Sequence, residues 1–167
     1  MATFKLKQKF LSITEKFEIK NEQDEIVYLV EGKFFSIGKR FTLFDNKENV
    51  LAEIKQKLLS FRPQFHILLN DGSHAQIIKT FLPLFSSRFL VTIDQPGAGA
   101  RELEITGNFL SHEYSFTENG QVLAQVSKEM FSFRDTYGLE VHDESLNEII
   151  VSLLIVIDAI HHGNDKN

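Results

Sequence analysis

SLNEIIVSLLIVIDAIHH, running from Ser145 to His162, is the stretch whose reading decides how the rest of the chain is arranged. At 100° per residue Leu146, Ile149, Ile150, Val151, Leu153, Leu154, Ile155, Val156, Ile157, Ala159 and Ile160 fall on every side of a helix and leave no continuous polar face. A helix that is apolar all round has to be enclosed, by lipid or by protein. From Leu146 to Ile160 it spans only about 22 Å at 1.5 Å per residue, against roughly 30 Å of hydrocarbon in a bilayer. The sequence therefore predicts no transmembrane segment, and the rest of the chain must wrap the helix.

Composition sets the frame for that wrapping. With 167 residues, 43% hydrophobic and 25% charged, the chain is long enough to bury most of its apolar surface in one core. Eighteen basic residues stand against 23 acidic ones, for a formal charge of -5, which argues against a general nucleic-acid binder while leaving room for a local basic patch. No cysteine is present, so disulfides, thiolate metal sites, cysteine nucleophiles and cysteine lipidation are excluded. The start, MATFKLKQKF, lacks an apolar core of signal-peptide length, and the expectation is a cytoplasmic protein.

Working back from the helix, an internal period appears. Phe17, Phe41, Phe65 and Phe89 recur every 24 residues, each opening a short β-like run, and Tyr114 and Tyr137 continue the series with small slips. Between them lies a second recurring segment, clearest as LKQKFLSI at Leu6 to Ile13 and IKQKLLSF at Ile54 to Phe61. Its other versions start at Val30, Ile77, Ile105 and Val126. Period-two alternation makes these strands: in LAEIKQKLL, Ala52, Ile54 and Leu58 are expected to face one way, and Glu53, Lys55 and Lys57 the other. Asn21-Glu-Gln-Asp24, Asp45-Asn-Lys, Asn70-Asp-Gly72, Pro96-Gly-Ala-Gly99 and Asn119-Gly120 supply the hairpin turns.

Six two-strand units give a mainly β fold, about twelve antiparallel strands that close most easily into an up-and-down barrel without exposed edges. A barrel of that size has room for one helix, and the C-terminal helix is the expected plug. Gln8, Gly32, Gln56, Thr80, Gly107 and Lys128 occupy the equivalent inward position of successive units; Gly32 and Gly107 fit either a wall close to the helix or a pair of bulges. Residues 1–162 are read as one domain and 163–167 as a flexible tail.

The K-x-F/L-F/L-S-F/I segments, the glycines of VEGKFFSIG and ITGNFLSHEY, and RDTYGLEV followed by an apolar helix containing Ile157-Asp158 resemble the LURP-one-related family over essentially the whole chain. The resemblance implies the tubby-like fold, a twelve-stranded barrel around a central helix shared with the tubby C-terminal domain and phospholipid scramblases. It points to a fold and not to an activity, since bacterial and plant members mostly lack an assigned molecular function. The chain lacks the Pro-rich leader, the cysteine-rich lipidation segment and the extended apolar helix of scramblases, so scrambling is the less favoured expectation.

Candidate sites follow. Lys7, Lys9, Lys33, Lys55 and Lys57, with Lys5 and Lys79, recur on the outward side of the strands and form a candidate face for anionic phospholipid headgroups, the ligand class the tubby resemblance implies; the alternative is a solvated surface. Asp158, a carboxylate in an apolar helix near its negative end, calls for a partner, with His161, His162 and Lys128 the candidates, as a structural tie or a switch. Asp143, Glu144 and Glu148 border the helix start, where capping explains them more simply than calcium does. No histidine pair has metal-ligand spacing, and no nucleophile elbow, phosphate loop or zinc-protease signature is present, so neither a metal, a cofactor nor a catalytic residue is assigned. The expected function is a non-catalytic intracellular binding or adaptor module with a phospholipid or protein partner. The alternatives are a scramblase-like lipid-handling protein and an enzyme with a site at a barrel rim.

Overall fold

The computed structural model of the chain describes residues 1–7, 16–35, 38–81, 87–132 and 135–162, with the side chains of Phe34, Phe35, Phe81 and His162 outside the description. Twelve strands alternate up and down: β1 (Ala2–Lys7), β2 (Lys16–Asn21), β3 (Ile26–Phe35), β4 (Gly38–Asp45), β5 (Val50–Gln56) and β6 (Gln64–Leu69) form one half. The other half is β7 (His74–Phe81), β8 (Ser87–Gln95), β9 (Gly99–Asn108), β10 (Glu113–Glu118), β11 (Gln121–Ser127) and β12 (Thr136–Val141). Each strand pairs with its sequence neighbours, and β1 pairs with β12, so the barrel is closed. A 3₁₀ turn at Glu144–Leu146 leads into the helix α1 (Asn147–His162).

Strand alternation places one residue set on the helix and the other outside. In β8, Phe89, Val91 and Ile93 are buried while Leu90, Thr92 and Asp94 face out. The aromatics spaced through the sequence sit on the even-numbered strands: Phe17, Phe41, Phe65, Phe89, Tyr114 and Tyr137 are all buried, forming much of the wall around α1. Every helix residue from Ile149 to Ala159 is buried, including Ser152, whose hydroxyl donates to the Glu148 carbonyl. The plug and the barrel therefore bury one another.

The two ends of the barrel differ in chemistry. At one end five tight hairpins use the expected turn residues: Asn21 Oδ1 accepts from the Gln23 and Glu25 amides, and Asp45 Oδ1 from the Lys47 and Asn49 amides. This turn end also receives the start of the helix approach, where Asp143 accepts from the Ser145 amide and hydroxyl. That cap explains why the first turn is 3₁₀ and the α-helix starts at Asn147, not at Ser145. At the opposite, loop end the connections run from two to eight residues, α1 terminates, and Lys39 Nζ donates to the Ala159 carbonyl at 3.2 Å. Burial of Lys39 there lowers its ammonium pKa.

Three expectations are corrected. β5 stops at Gln56, and Leu58 is half exposed instead of facing inward with Ala52 and Ile54. The reason is local: the following Leu59 adopts φ +59° and the chain turns away from the wall. Lys128 does not point inward; β11 ends at Ser127, whose hydroxyl caps a 3₁₀ turn that leaves Lys128 exposed. Gly107 does not approach the helix. At φ +141° it lies against its neighbour strand, where an added Cβ would sit 2.5 Å from the Glu113 carbonyl oxygen. Gln8 and the tail 163–167 lie outside the described residues.

Candidate anion-binding face

The outward face of β3 to β6 carries an unusual row. Lys33 pairs across the sheet with Arg40, Arg40 with Lys55, and Lys55 with His66, so four basic groups stand side by side at one height of the wall. Directly opposed residues on antiparallel strands have Cβ atoms about 4.5–5.5 Å apart, and like charges so placed are destabilising. Lys33, Arg40 and Lys55 are exposed, and among the described residues none of the three makes an ion pair. In a chain of net charge -5 this arrangement concentrates positive charge against the overall balance.

Electrostatics along the barrel axis reinforce the row. Arg40, Lys55, Lys57 and Arg62 sit towards the loop end, whereas Asp24, Asp45, Asp71 and Asp143 gather at the turn end. Hydrogen bonds hold those carboxyls ionised: from Lys5 to Asp24 at 2.6 Å, from Asn49 to Asp45, from Ser73 to Asp71 and from Ser145 to Asp143, each lowering the pKa. The result is a molecule with a positive and a negative end.

Beside the row lies a shallow depression of ≈ 230 Å³ lined by Glu53, Lys55, His66, Ile67, Leu68 and His74. The His66 and His74 rings stack at 5.6 Å. Partial burial lowers the His66 pKa, with the neighbouring His74 and the Lys57 charge acting in the same direction. Neutral at pH 7, His66 adds charge to the row on acidification.

Of the predicted basic residues, Lys33, Lys55 and Lys57 share this wall. Lys7 is exposed on β1, separated from β3 by β2, and Lys9 is outside the described residues. Lys5 is bound to Asp24 and lies over the Phe131 ring, and Lys79, half-buried on β7 opposite Phe89, shares the inward register of Ala75 and Ile77 instead of the expected outward side. Arg40, the centre of the row, was not singled out from sequence. Its signal was parity alone: it precedes inward-facing Phe41 and so had to point out.

Asp158 sits elsewhere, inside the barrel near the loop end. Tyr137 Oη donates to its Oδ1 at 3.4 Å, and His112 Nδ1 lies 3.9 Å away, with His112 stacked on Tyr137 at 4.1 Å. Burial raises the Asp158 pKa to about 7, partly offset by the Tyr137 hydrogen bond. His161 packs on Phe89 and Phe109, Lys128 is exposed, and the His162 side chain lies outside the described residues. His112, in the β9–β10 connection at φ +53°, was not anticipated. Asp158 thus ties α1 to β12 and to the loop end. Among the described residues no cluster of three metal-ligating side chains occurs.

A family model described as LURP-one-related matches residues 2–158. A solved X-ray structure of a protein from Arabidopsis thaliana superposes with a TM-score of 0.56, covering 94% of this chain and 92% of that one at 8% identity, a likeness of fold. No curated protein matches the sequence significantly.

Proposed function

The chain belongs to the LURP-one-related family, and from that premise we propose that it is a non-catalytic intracellular binding module that docks on anionic phospholipid headgroups through the Lys33–Arg40–Lys55–His66 face. The observation that carries the reading is the cross-strand opposition of like charges. An arrangement that costs stability in the free protein becomes favourable when phosphate or carboxylate groups lie over it. The filled interior supports binding at the surface over catalysis, because α1 occupies the space a substrate would need. A scramblase-like role is less well supported: no helix among the described residues is long and apolar enough to cross a membrane, and α1 is enclosed by the barrel.

Co-sedimentation with phosphatidylcholine vesicles, with and without phosphatidylserine, tests this. The expected result is binding only to the phosphatidylserine vesicles, weakening as salt rises from low to physiological, and loss of binding in Arg40→Glu. Equal binding to neutral vesicles, or none at low salt, overturns the reading and turns the search to protein partners.

A further inference from the structure

The loop end also exposes large apolar side chains on convex tips. In the β5–β6 connection Leu59 and Phe61 are 104% and 108% exposed, more open than in an extended reference chain, and Leu58 is half exposed beside them. Leu110, in the β9–β10 connection, is 67% exposed. Alternate connections of an up-and-down barrel leave from the same end, so these tips project in one direction. Lys57 and Arg62 bracket the first of them, directly continuous with the cationic row.

We propose that this end of the barrel is a membrane-inserting edge, in which Leu59, Phe61 and Leu110 enter the acyl region of an anionic leaflet while Lys57 and Arg62 remain at phosphate level. The inference rests on the phospholipid reading above and adds to it the depth and the direction of docking. The Leu59–Phe61 tip, flanked by Lys57 and Arg62, matches the layered chemistry of a leaflet, hydrocarbon beneath a band of negative charge, and Leu110 adds apolar surface at the same end. The acidic turn end, carrying Asp24, Asp45, Asp71 and Asp143, is repelled by the same surface, so the charge distribution orients the barrel with its tips down. A convex tip needs no preformed pocket in a fluid bilayer. A second copy meeting this end tip to tip would bring Lys57 and Arg62 against their own counterparts, an opposition a lipid surface does not impose.

The chain contains no tryptophan, so a single introduced indole reports its own surroundings. Phe61→Trp, mixed with phosphatidylcholine/phosphatidylserine vesicles, is expected to shift its emission to the blue and to be quenched by lipids brominated in the acyl chain. Asn46→Trp, in the β4–β5 turn at the other end, is expected to do neither. The double variant Leu59→Ser/Phe61→Ser, in which both replaced side chains are fully exposed, is expected to keep its melting temperature and to bind the vesicles about ten-fold more weakly or worse. Vesicle-bound Phe61→Trp without quenching means adsorption through the cationic row alone, which overturns insertion and leaves the docking face standing. No binding by any variant overturns both. Quenching of Asn46→Trp reverses the orientation and overturns the inference. So does a concentration-dependent dimer, abolished in Leu59→Ser/Phe61→Ser, with no quenching on vesicles.

Discussion

Tyr137 donates its phenolic hydrogen to Asp158 across 3.4 Å at a point where both side chains are closed to solvent. The contact links the last strand to the helix that follows it, and it leaves Asp158 Oδ2 without a hydrogen-bond partner. A buried carboxyl with so little help is better neutral than charged, which is why its pKa rises from 3.8 to about 7.

That displacement makes stability fall as pH rises. In the unfolded chain Asp158 ionises near its ordinary value, whereas in the barrel it holds its proton to about pH 7. Between these limits the folded state binds more protons than the unfolded one, and each pH unit removes up to about 1.4 kcal/mol. Urea denaturation at pH 5 and pH 7 is expected to show the wild type weaker at pH 7, and Asp158→Asn to lose most of that difference. The two pH values lie above the range in which Asp24, Asp45, Asp71 and Asp143, with lowered pKa values, act in the opposite direction; His66, whose lowered pKa also acts oppositely, is common to both proteins and cancels from the comparison. An identical slope in both proteins contradicts the assignment.

The cationic row predicts a trade between stability and binding. Arg40→Gln removes the like charge opposite both Lys33 and Lys55 and is expected to leave stability unchanged or raise it by about 0.2–1 kcal/mol, while weakening attachment to phosphatidylserine vesicles. Thermal melts and co-sedimentation on the same preparation check both halves.

Acidification is expected to strengthen vesicle binding. His66 has a lowered pKa and gains its charge only below about pH 6.5. Binding measured from pH 7.5 to 5 rises in the wild type and rises less in His66→Gln. A flat wild-type profile removes His66 from the site.

The mutual burial of helix and wall predicts a large cost at its centre. Leu154 is fully buried on α1, and Leu154→Ala is expected to cost about 2–5 kcal/mol by chemical denaturation. Deletion from Ser145 onward is expected to abolish the cooperative transition altogether.

Gly138 faces outward on β12 yet is buried, because Met130 and Phe131 fold over it; an added Cβ would lie 2.6 Å from the Met130 sulfur and 2.9 Å from the Phe131 ring. Gly138→Val is expected to destabilise by about 1–3 kcal/mol through displacement of that cover. Calorimetry or urea titration gives the value.

The parts legible in sequence were those written in a period. Phe17, Phe41, Phe65 and Phe89, the Asx turns at Asn21 and Asp45, and the all-round apolar run from Ile149 specify wall, corners and plug through spacing alone. Strand ends were not legible, since Lys57-Leu-Leu-Ser-Phe61 is as apolar as the strand before it, and only the backbone reversal at Leu59 separates them. The cationic row was half legible: parity placed Lys33 and Lys55 outside, but the register that seats Arg40 between them belongs to strand pairing. His112 was not legible at all, because a lone loop histidine carries no pattern until the fold brings it to Asp158.

The pairing of Ala2 with Val141 closes the barrel between its first strand and its twelfth. The closing contact joins the two strands farthest apart in chain order, so it waits on all the others. Until β12 and α1 are in place, every earlier hairpin displays its phenylalanines to water, with an unpaired edge and nothing to pack against. Such a chain has long-range closure as its final requirement, which favours slow folding and exposure to aggregation in the interval. Expression at lowered temperature or with holding chaperones is expected to raise the soluble yield.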